Sequence, residues 1–359
     1  MRIQAVAAPG HRPEHLAYVV YDGTRDAERP CVLLSGDSLL VGDVARPDLA
    51  VAAADGAAAL FTTLRHLLAL GDSVEVWPGH VGGSLCASST LSQRTSSTIG
   101  YERHANPLLT IEDGEEFVAA LTGAAASRPP RVERIVGLNR RGAEPPVALG
   151  QLEASRLAEL VEEGVCILDV RGPLAFDAGH LRGALNLPLE SKALGTRAGW
   201  STAVDEAIVI VAEHPADCLR AAERLYAAGV WSLVGLAVAD LPGWRAAGLP
   251  IRQGSMLTPE RLVGGLRGHE LRLLDVRDHA EWRAGHVAES LHLPLPKLGD
   301  GRHVSLPADR PLAVACATGG RAALAASVLR RRGYEPVARV SGGIPDLRRY
   351  GVALVESES

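Results

Sequence analysis

The chain carries an internal repeat, which constrains its fold more than any other feature of the sequence. Three motifs of the first copy recur at the same spacing in the second: Leu168-Asp169-Val170-Arg171 as Leu274-Asp275-Val276-Arg277, Gly179-His180 as Gly285-His286, and Leu187-Pro188-Leu189 as Leu293-Pro294-Leu295. In each copy a helical pattern comes before a strand that ends in Asp-x-Arg, after which strand and helix signals alternate. Because such alternation is typical of a parallel sheet covered by helices, the sequence predicts two α/β domains, at residues 148–252 and 254–356.

Cys316 lies where an apolar strand signal, residues 312–315, meets a short loop and a helix-forming run that begins at Ala322. A sulfur at this place faces a helix N-terminus and the backbone N–H groups of the loop, and both favour negative charge. Since the thiolate is the reactive form of cysteine, we predict that Cys316 is a nucleophile. The loop comprises Ala317, Thr318, Gly319, Gly320 and Arg321.

A free cysteine can also be a small, inert, buried residue. That interpretation fits the other four cysteines, which have no partner at metal-ligand or redox-pair spacing: Cys31, Cys86, Cys166 and Cys218. The glycines and the arginine after Cys316 favour a function there, because a core cysteine needs neither. Five cysteines, odd in number and unclustered, are typical of a reducing compartment, so we expect a cytoplasmic protein.

Composition and charge exclude several classes of partner. The chain has 359 residues, and 37 lysines and arginines against 42 aspartates and glutamates give a net charge of −5. Without a long run of one sign, this balance argues against nucleic acid and anionic membranes as partners. No apolar segment approaches the length of a membrane span. The length of the chain favours about two or three domains.

The second copy resembles the rhodanese family. The motifs that carry the resemblance are Asp275-Val276-Arg277, Glu281, Gly285-His286, the loop from Cys316 to Arg321, and Val340-Ser341-Gly342-Gly343. The resemblance implies a sulfurtransferase in which Cys316 accepts a sulfane sulfur from thiosulfate or an organic persulfide and passes it to a thiol or cyanide. It implies that Arg321 faces the leaving group of the donor, that the loop backbone binds the terminal sulfur, and that this transfer requires no cofactor.

The first copy lacks the residues on which this chemistry depends. Alignment of the two copies places Ala212 opposite Cys316 and Asp217 opposite Arg321. Without the thiol there is no nucleophile, and an acid in place of the arginine would repel an anionic substrate. Residues 148–252 are therefore predicted to form an inactive rhodanese-like domain.

Two interpretations are open for Asp275 and Arg277. At the carboxyl end of a strand they could line the substrate pocket, or they could form an internal ion pair that fixes the loops. Their counterparts, Asp169 and Arg171, persist in the inactive copy, and this persistence favours the structural role.

The N-terminal segment resembles the C-terminal half of a metallo-β-lactamase-fold hydrolase, and more closely the persulfide dioxygenases that are fused to tandem rhodanese domains. The resemblance rests on residues 8–15, which include His11, on residues 34–39, which include Asp37, on Trp77-Pro78-Gly79-His80, and on segments 82–86, 97–103 and 106–107. The predicted fold class is therefore α/β, with two rhodanese-like parallel-sheet domains after a partial metallo-β-lactamase-like αββα domain. That domain is assigned to residues 1–120, and residues 121–147 are predicted to be a linker.

The resemblance implies that His11 and Asp37 are iron ligands and that His80 lies at the second-metal position of the wider fold. Imidazole and carboxylate groups suit non-haem iron. The family's His-x-His-x-Asp-His motif should come before His11, and the sequence does not contain it. Because two ligands without a third make a weak site, we expect a vestigial site that binds iron or zinc only if the half-site is completed.

Half of a two-layered domain would also leave an apolar sheet face uncovered. Three explanations are open: a homodimer through the N-terminal domain, packing of this face against the rhodanese pair, or a start site upstream of Met1. Two classes of function are open as well, a sulfurtransferase and a non-catalytic scaffold. A narrower alternative is a remnant of a persulfide dioxygenase–rhodanese fusion in sulfide and persulfide detoxification. The intact Cys316 loop favours the enzyme, with a small sulfur donor and a thiol acceptor as partners.

Overall fold

The computed structural model of the protein describes residues 1–80, 94–124, 130–142, 148–191, 193–299 and 305–356. The chain divides into two compact units, Met1–Pro129 and Pro130–Ser359. The predicted motif at residues 82–86, with Cys86, lies outside the described residues. Within those ranges, no helix combines the length and the apolar character that a membrane crossing requires.

The N-terminal unit is built on a five-stranded sheet with helices packed on one face. The sheet order is β1-β2-β3-β6-β7, and all neighbours are antiparallel except β3 and β6. The elements are β1 (Arg2–Ala7), β2 (Leu16–Tyr21), β3 (Val32–Gly36), β4 (Leu39–Leu40), β5 (Asp43–Val44), α1 (Ala53–Leu68), β6 (Glu75–Pro78), β7 (Ser97–Thr98), α2 (Ile99–Ala105), a 3₁₀ helix (Pro107–Thr110) and α3 (Gly114–Ala124).

The opposite face of this sheet is apolar and open to solvent. Strand residues alternate between the two faces of a sheet, and in β2 the residues between the exposed ones are buried against α1 and α3. On the outer face Leu16 and Tyr18 are 45% and 41% exposed, and Trp77 of β6 is 49% exposed. Within the N-terminal unit, the outer face of the sheet therefore carries apolar side chains, as expected.

The C-terminal unit contains both copies of the repeat. The first comprises α4 (Val132–Arg141), α5 (Ala154–Glu162), β8 (Cys166–Asp169), α6 (Pro173–Ala178), β9 (His180–Leu181), β10 (Leu185–Asn186), α7 (Leu194–Ser201), β11 (Ile208–Ala212), α8 (Pro215–Ala227), β12 (Leu233–Val238), α9 (Leu241–Ala246) and β13 (Ile251–Arg252). The second comprises β14 (Met256–Leu257), α10 (Pro259–Arg267), β15 (Arg272–Asp275), α11 (His279–Arg283), β16 (His286–Val287), β17 (Leu291–His292), α12 (Leu295–Gly299), β18 (Leu312–Ala315), α13 (Gly320–Arg331), β19 (Val337–Val340), a 3₁₀ helix (Ile344–Tyr350) and β20 (Leu354–Val355).

The two copies have the same parallel sheet, as the alternation of strand and helix signals predicts. The strand order is β10-β8-β11-β12 in the first copy and β17-β15-β18-β19-β14 in the second. In the second copy β14 pairs with β19. The first copy has a parallel bridge between Gln151 and Leu236 at the corresponding place. The carboxyl ends of the parallel strands meet at one edge of each sheet, where α/β proteins bind ligands.

The two repeats share one apolar core. Helix α7 of the first copy packs against α12 of the second, and α13 packs against β10. The same cluster of buried side chains includes Leu194 and Ala198 of α7, Leu295 and Leu298 of α12, and Cys316. The candidate nucleophile is thus anchored in a core to which both copies contribute.

The region predicted to be a linker contains a helix. Arg131, just before α4, donates a hydrogen bond to the carbonyl oxygen of Thr202 at 3.1 Å, and Arg134 of α4 forms an ion pair of 2.6 Å with Asp205. The bias of this region toward small residues, proline and arginine obscures the helical pattern. Part of residues 121–147 is therefore attached to the first copy of the repeat.

Because the core is shared, we predict that Leu298→Ala destabilises both repeats. The cavity should cost about 2–5 kcal/mol, and Leu194→Ala on the other side of the core should have the same effect. Hydrogen exchange followed by mass spectrometry measures this, through the protection of peptides that cover β8 and β18. The control is Leu219→Ala, at a side chain that is 51% exposed. If Leu298→Ala lowered protection in β18 alone, the two repeats would be independent.

Candidate active site

Cys316 directly follows β18, and its sulfur receives a hydrogen bond from the loop. The N–H of Gly319 donates to Cys316 Sγ at 3.1 Å. Gly319 has a φ of +91°, a left-handed conformation that favours glycine, and α13 begins at the next residue. Cys316 is only 1% exposed, so the sulfur lies at the base of the loop. A backbone donor and the positive end of a helix are thus available to a negative charge on this atom.

The turn after β19 closes directly over this loop. A Cβ atom on Gly343 would lie 1.7 Å from the carbonyl oxygen of Ala317. The next residue, Ile344, donates its N–H to the carbonyl oxygen of Cys316 at 2.9 Å. The two backbone segments approach so closely that only glycine fits at position 343, which explains the Gly342-Gly343 pair in physical terms.

Arg321 is held by two carboxylates. Its Nη1 and Nη2 atoms donate to the two carboxylate oxygens of Glu281 at 2.5 and 2.7 Å, and Nη1 also donates to Asp278 Oδ2 at 3.2 Å. Burial alone would lower the pKa of Arg321, but Glu281, Cys316 and Asp278 raise it above its ordinary value. This pairing with Glu281 ties the loop to α11, and the role of Arg321 beside the leaving group of the donor stays a prediction.

Asp275 and Arg277 form a buried ion pair rather than a surface for substrate. Arg277 Nη2 donates to Asp275 Oδ2 at 2.7 Å and to the carbonyl oxygen of Gly285, also at 2.7 Å. In the first copy Arg171 makes the same bonds, to Asp169 at 2.6 Å and to the carbonyl oxygen of residue 179 at 2.8 Å. The identical geometry in a copy without a nucleophile supports the structural role.

His286 is also part of the framework. Its Nδ1 lies 3.0 Å from the carbonyl oxygen of Trp282, and its ring stacks on the Trp282 ring with centroids 3.8 Å apart. His180 of the first copy repeats this arrangement with Phe176, at 2.9 and 3.7 Å. Burial lowers the pKa of His180 to about 4, which keeps its ring neutral and suited to stacking.

The equivalent position in the first copy holds no thiol. The N–H of Val170 donates to the carbonyl oxygen of the residue before Ala212. In the same way, the N–H of Val276 donates to the carbonyl oxygen of the residue before Cys316. Ala212 and Cys316 therefore occupy equivalent positions. The strand end beside Ala212 lines a cavity of about 180 Å³ whose acidic members are Glu190, Glu213 and Asp217. Cys218, further along, has its pKa raised to about 11 by burial, as expected of a structural thiol.

Comparison with known proteins agrees with this geometry. The family model described as "Rhodanese-like domain" matches residues 153–247 and 258–349, together more than half of the chain. The chain belongs to the rhodanese-like family. Its curated relatives include a sulfurtransferase of Allochromatium vinosum (33% identity, 25% of this chain, 82% of that protein) and the thiosulfate sulfurtransferase GlpE of Pseudomonas syringae (34%, 24% and 79%).

Two further matches concern proteins with other names. The probable adenylyltransferase/sulfurtransferase MoeZ of Mycobacterium tuberculosis is 34% identical over 26% of this chain, which spans only 24% of the length of MoeZ. A metallo-β-lactamase structure from Staphylococcus aureus matches with a TM-score of 0.54 at 24% identity, over 66% of each chain. The second match shows a fold alone. The protein therefore combines two rhodanese-like domains with an N-terminal part whose fold is similar to that of a metallo-β-lactamase.

The structure brings the predicted metal residues of this N-terminal part together. Asp37 Oδ2 lies 3.5 Å from His11 Nε2, and Asp37 Oδ1 lies 3.2 Å from His80 Nε2. Each carboxylate oxygen is thus turned toward a different imidazole. Throughout the ranges that the structure describes, no group of three or more histidine, cysteine, aspartate or glutamate residues is arranged to hold a metal ion. Among the described residues, His11, Asp37 and His80 therefore do not complete an iron or zinc site, and the vestigial half-site stays a prediction.

Two further residues, His292 and Arg197, receive no predicted role from the sequence analysis. His292 stands where the first copy has Asn186, and its Nε2 lies 2.9 Å from the carbonyl oxygen of Arg277. The repeat alignment itself contains this signal, because residues 291–293 and 185–187 differ only at the central position. Arg197 of α7, in the first domain, has its pKa lowered by burial and by Arg321, and no motif marks it.

We predict that Gly343→Ala disrupts the Cys316 loop, because its Cβ atom would overlap a backbone atom that has nowhere to move. Overpacking of this kind costs roughly 1–3 kcal/mol, and reactivity of Cys316 toward a thiol reagent should change with it. The measurements are thermal unfolding and the rate of Cys316 alkylation. The control is Gly264→Ala, because a Cβ atom on Gly264 in α10 would meet nothing within 4 Å. Equal behaviour of the two variants would contradict this account of the turn.

Proposed function

We propose that the protein is a sulfurtransferase that carries a sulfane sulfur on Cys316. The donor is thiosulfate or an organic persulfide, and the acceptor is a small thiol or cyanide. Sulfur transfer of this kind requires no cofactor, because each step only exchanges one bond to the sulfane sulfur for another. The names of the relatives from Allochromatium vinosum and Pseudomonas syringae, a sulfurtransferase and a thiosulfate sulfurtransferase, support the proposal.

One observation carries the proposal: the thiol occurs in only one of two otherwise matching domains. Cys316 accepts a hydrogen bond from the N–H of Gly319, whereas Ala212 occupies the equivalent strand end in the first domain. The framework pairs Asp275–Arg277 and Asp169–Arg171 are the same in both. A scaffold would need the framework but not the thiol in its donor-bearing loop.

In the first step, the thiolate of Cys316 attacks the outer sulfur of thiosulfate. A new S–S bond forms to Cys316 Sγ as the S–S bond of thiosulfate breaks, and sulfite leaves with the bonding electrons. The terminal sulfur of the persulfide then carries the negative charge. Backbone N–H groups of the loop from Ala317 to Gly320 stabilise such charge without reorganising.

In the second step, the thiolate of the acceptor attacks the terminal sulfur of the Cys316 persulfide. The S–S bond to Cys316 breaks, the acceptor leaves as a persulfide, and the Cys316 thiolate is restored. Atoms and electrons balance over the two steps, with one sulfane sulfur moved and no external oxidant or reductant. Such covalent catalysis divides one difficult transfer into two easier ones.

We predict that Cys316→Ala abolishes sulfur transfer, since among the cysteines that the structure describes only Cys316 accepts a hydrogen bond from such a loop. The measurement is sulfite release from thiosulfate with a thiol acceptor, together with intact-mass analysis for the added sulfur atom. The wild-type protein should gain the mass of one sulfur when it is incubated with donor alone. Turnover by the variant should fall to the uncatalysed rate.

The matched control is Cys31→Ala in the N-terminal unit. Cys31 is a half-buried free thiol, and its Sγ lies 3.4 Å from the carbonyl oxygen of Val20. Peptide mapping should find the added sulfur on Cys316 in this variant, with turnover unchanged. Undiminished turnover in Cys316→Ala, or added sulfur on another cysteine, would contradict the proposal.

A further inference from the structure

The outer side of β1 is a free strand edge in the N-terminal unit. β1 is the end strand of the five-stranded sheet and pairs with β2 on one side. Among the residues that the structure describes, no strand pairs with its other side, and β1 is exposed along nearly its whole length. Such an edge presents unpaired N–H and C=O groups that can pair with another strand. The sheet can therefore be extended here.

Two hydrogen bonds show which backbone groups of β1 face this edge. The N–H of Ala8 donates to the carbonyl oxygen of His15 at 2.9 Å, so Ala8 directs its polar groups toward β2. The carbonyl oxygen of Val20, which stands opposite Ile3, accepts instead from the N–H of Cys31 at 2.9 Å, on the β3 side. Hydrogen-bonded and non-hydrogen-bonded pairs alternate along an antiparallel ladder. The even-numbered residues of β1 therefore bond to β2, and the odd-numbered residues direct their polar groups to the free edge.

The sequence of β1 does not guard this edge. Natural sheet edges are blocked by proline, by charged side chains or by β-bulges. β1 contains no proline, and its pairing with β2 is regular from Arg2 to Ala7. The charged side chain of Arg2 is turned onto its own unit, because its Cζ lies 3.8 Å from the centroid of the Tyr21 ring and its Nη2 donates to the carbonyl oxygen of Ala27 at 3.4 Å. Another strand can therefore approach without meeting a free charge on β1.

We propose that β1 pairs antiparallel with β1 of a second copy of this chain, about a two-fold axis at Ala5. In this register Ala5 lies opposite Ala5 of the partner subunit, and Ile3 lies opposite Ala7 of the partner subunit. Each pair joins residues whose polar groups face the edge, so each exchanges both N–H···O bonds. An axis at Gln4 would instead set Ala7 against Met1, which lies before the strand. The axis at Ala5 pairs every edge-facing residue of β1 with another.

The same pairing joins two apolar surfaces, which favours a second copy over an unrelated strand. Opposite residues of an antiparallel pair share a face, so Ala5 and Ala7 lie on the outer face beside Tyr18 and Leu16. Ile3, on this face, is 53% exposed. In the dimer its side chain meets the small side chain of the partner's Ala7 and continues the apolar face of the partner sheet. Burial of apolar surface therefore adds to the backbone hydrogen bonds.

Position 5 tests the pairing and its register together. On the two-fold axis, the two Ala5 Cα atoms would lie about 5.5 Å apart, a separation that a disulfide spans. Ala5→Cys should therefore form a covalent dimer under mild oxidation, which non-reducing electrophoresis and intact-mass analysis measure. The matched control is Ala7→Cys, because the two Ala7 residues would lie about 13 Å apart along the strands. This control and the wild type should stay uncrosslinked.

A charge at the same position tests the interface without a covalent bond. Ala5→Lys would place two like charges opposite each other, and the dimer Kd should rise about 5-fold or more, most strongly at low salt. Sedimentation velocity of the full chain over a concentration series measures this. The control is Ala58→Lys, the same substitution at an exposed residue of α1, which should leave Kd unchanged. Thermal unfolding checks that both variants are folded.

Three outcomes would count against the dimer. A wild-type protein that sediments as a monomer throughout the series would overturn it and leave the edge to a strand of another protein. A dimer whose Kd Ala5→Lys leaves unchanged would have another interface. Crosslinking of Ala7→Cys as readily as Ala5→Cys would overturn the register. None of these measurements requires sulfur transfer by Cys316, so they stand apart from the proposed function.

Discussion

The apolar core that joins the two rhodanese-like domains is the interaction on which the candidate active site depends. Leu194 and Ala198 of α7 lie in the same buried cluster as Leu298 and Cys316. Protein interiors are packed as densely as organic crystals, so this cluster leaves α7 little freedom relative to the Cys316 loop. A second domain on its own would expose the surfaces on which α7 and β10 pack, so the domain without a thiol completes this core.

The two domains keep the same framework while their loops differ in charge. Removal of one partner from a buried ion pair such as Asp169–Arg171 or Asp275–Arg277 leaves an uncompensated charge and costs about 3–5 kcal/mol. The loops are under no such constraint. Where Cys316 stands in one domain, the other has Ala212 beside a cavity with three acidic side chains. Stability therefore accounts for the ion pairs that both domains share, and the proposed sulfur transfer accounts for the difference between their loops.

The sequence was sufficient to predict those features that depend on residues close together in the chain. Periodicity and the Asp-x-Arg strand ends predicted both parallel sheets, and alignment of the copies placed Ala212 at the position of Cys316, as the strand hydrogen bonds confirm. The partner of Arg321 is Glu281, which lies 40 residues away in sequence. The packing of α7 on α12 likewise joins two domains. No local pattern contains these contacts, and the composition of residues 121–147 concealed helix α4.

The positive charge of Arg321 is paired with the carboxylates of Glu281 and Asp278. Two unit charges about 4 Å apart near a protein surface interact by roughly 4 kcal/mol, so a guanidinium shared by Glu281 and Asp278 has little attraction left for an incoming anion. The loop N–H groups stabilise charge on the sulfur, but they lie at the base of the site beside the 1% exposed Cys316. The binding of a donor with a charged oxyanion would therefore depend on groups further out than Cys316 and Arg321.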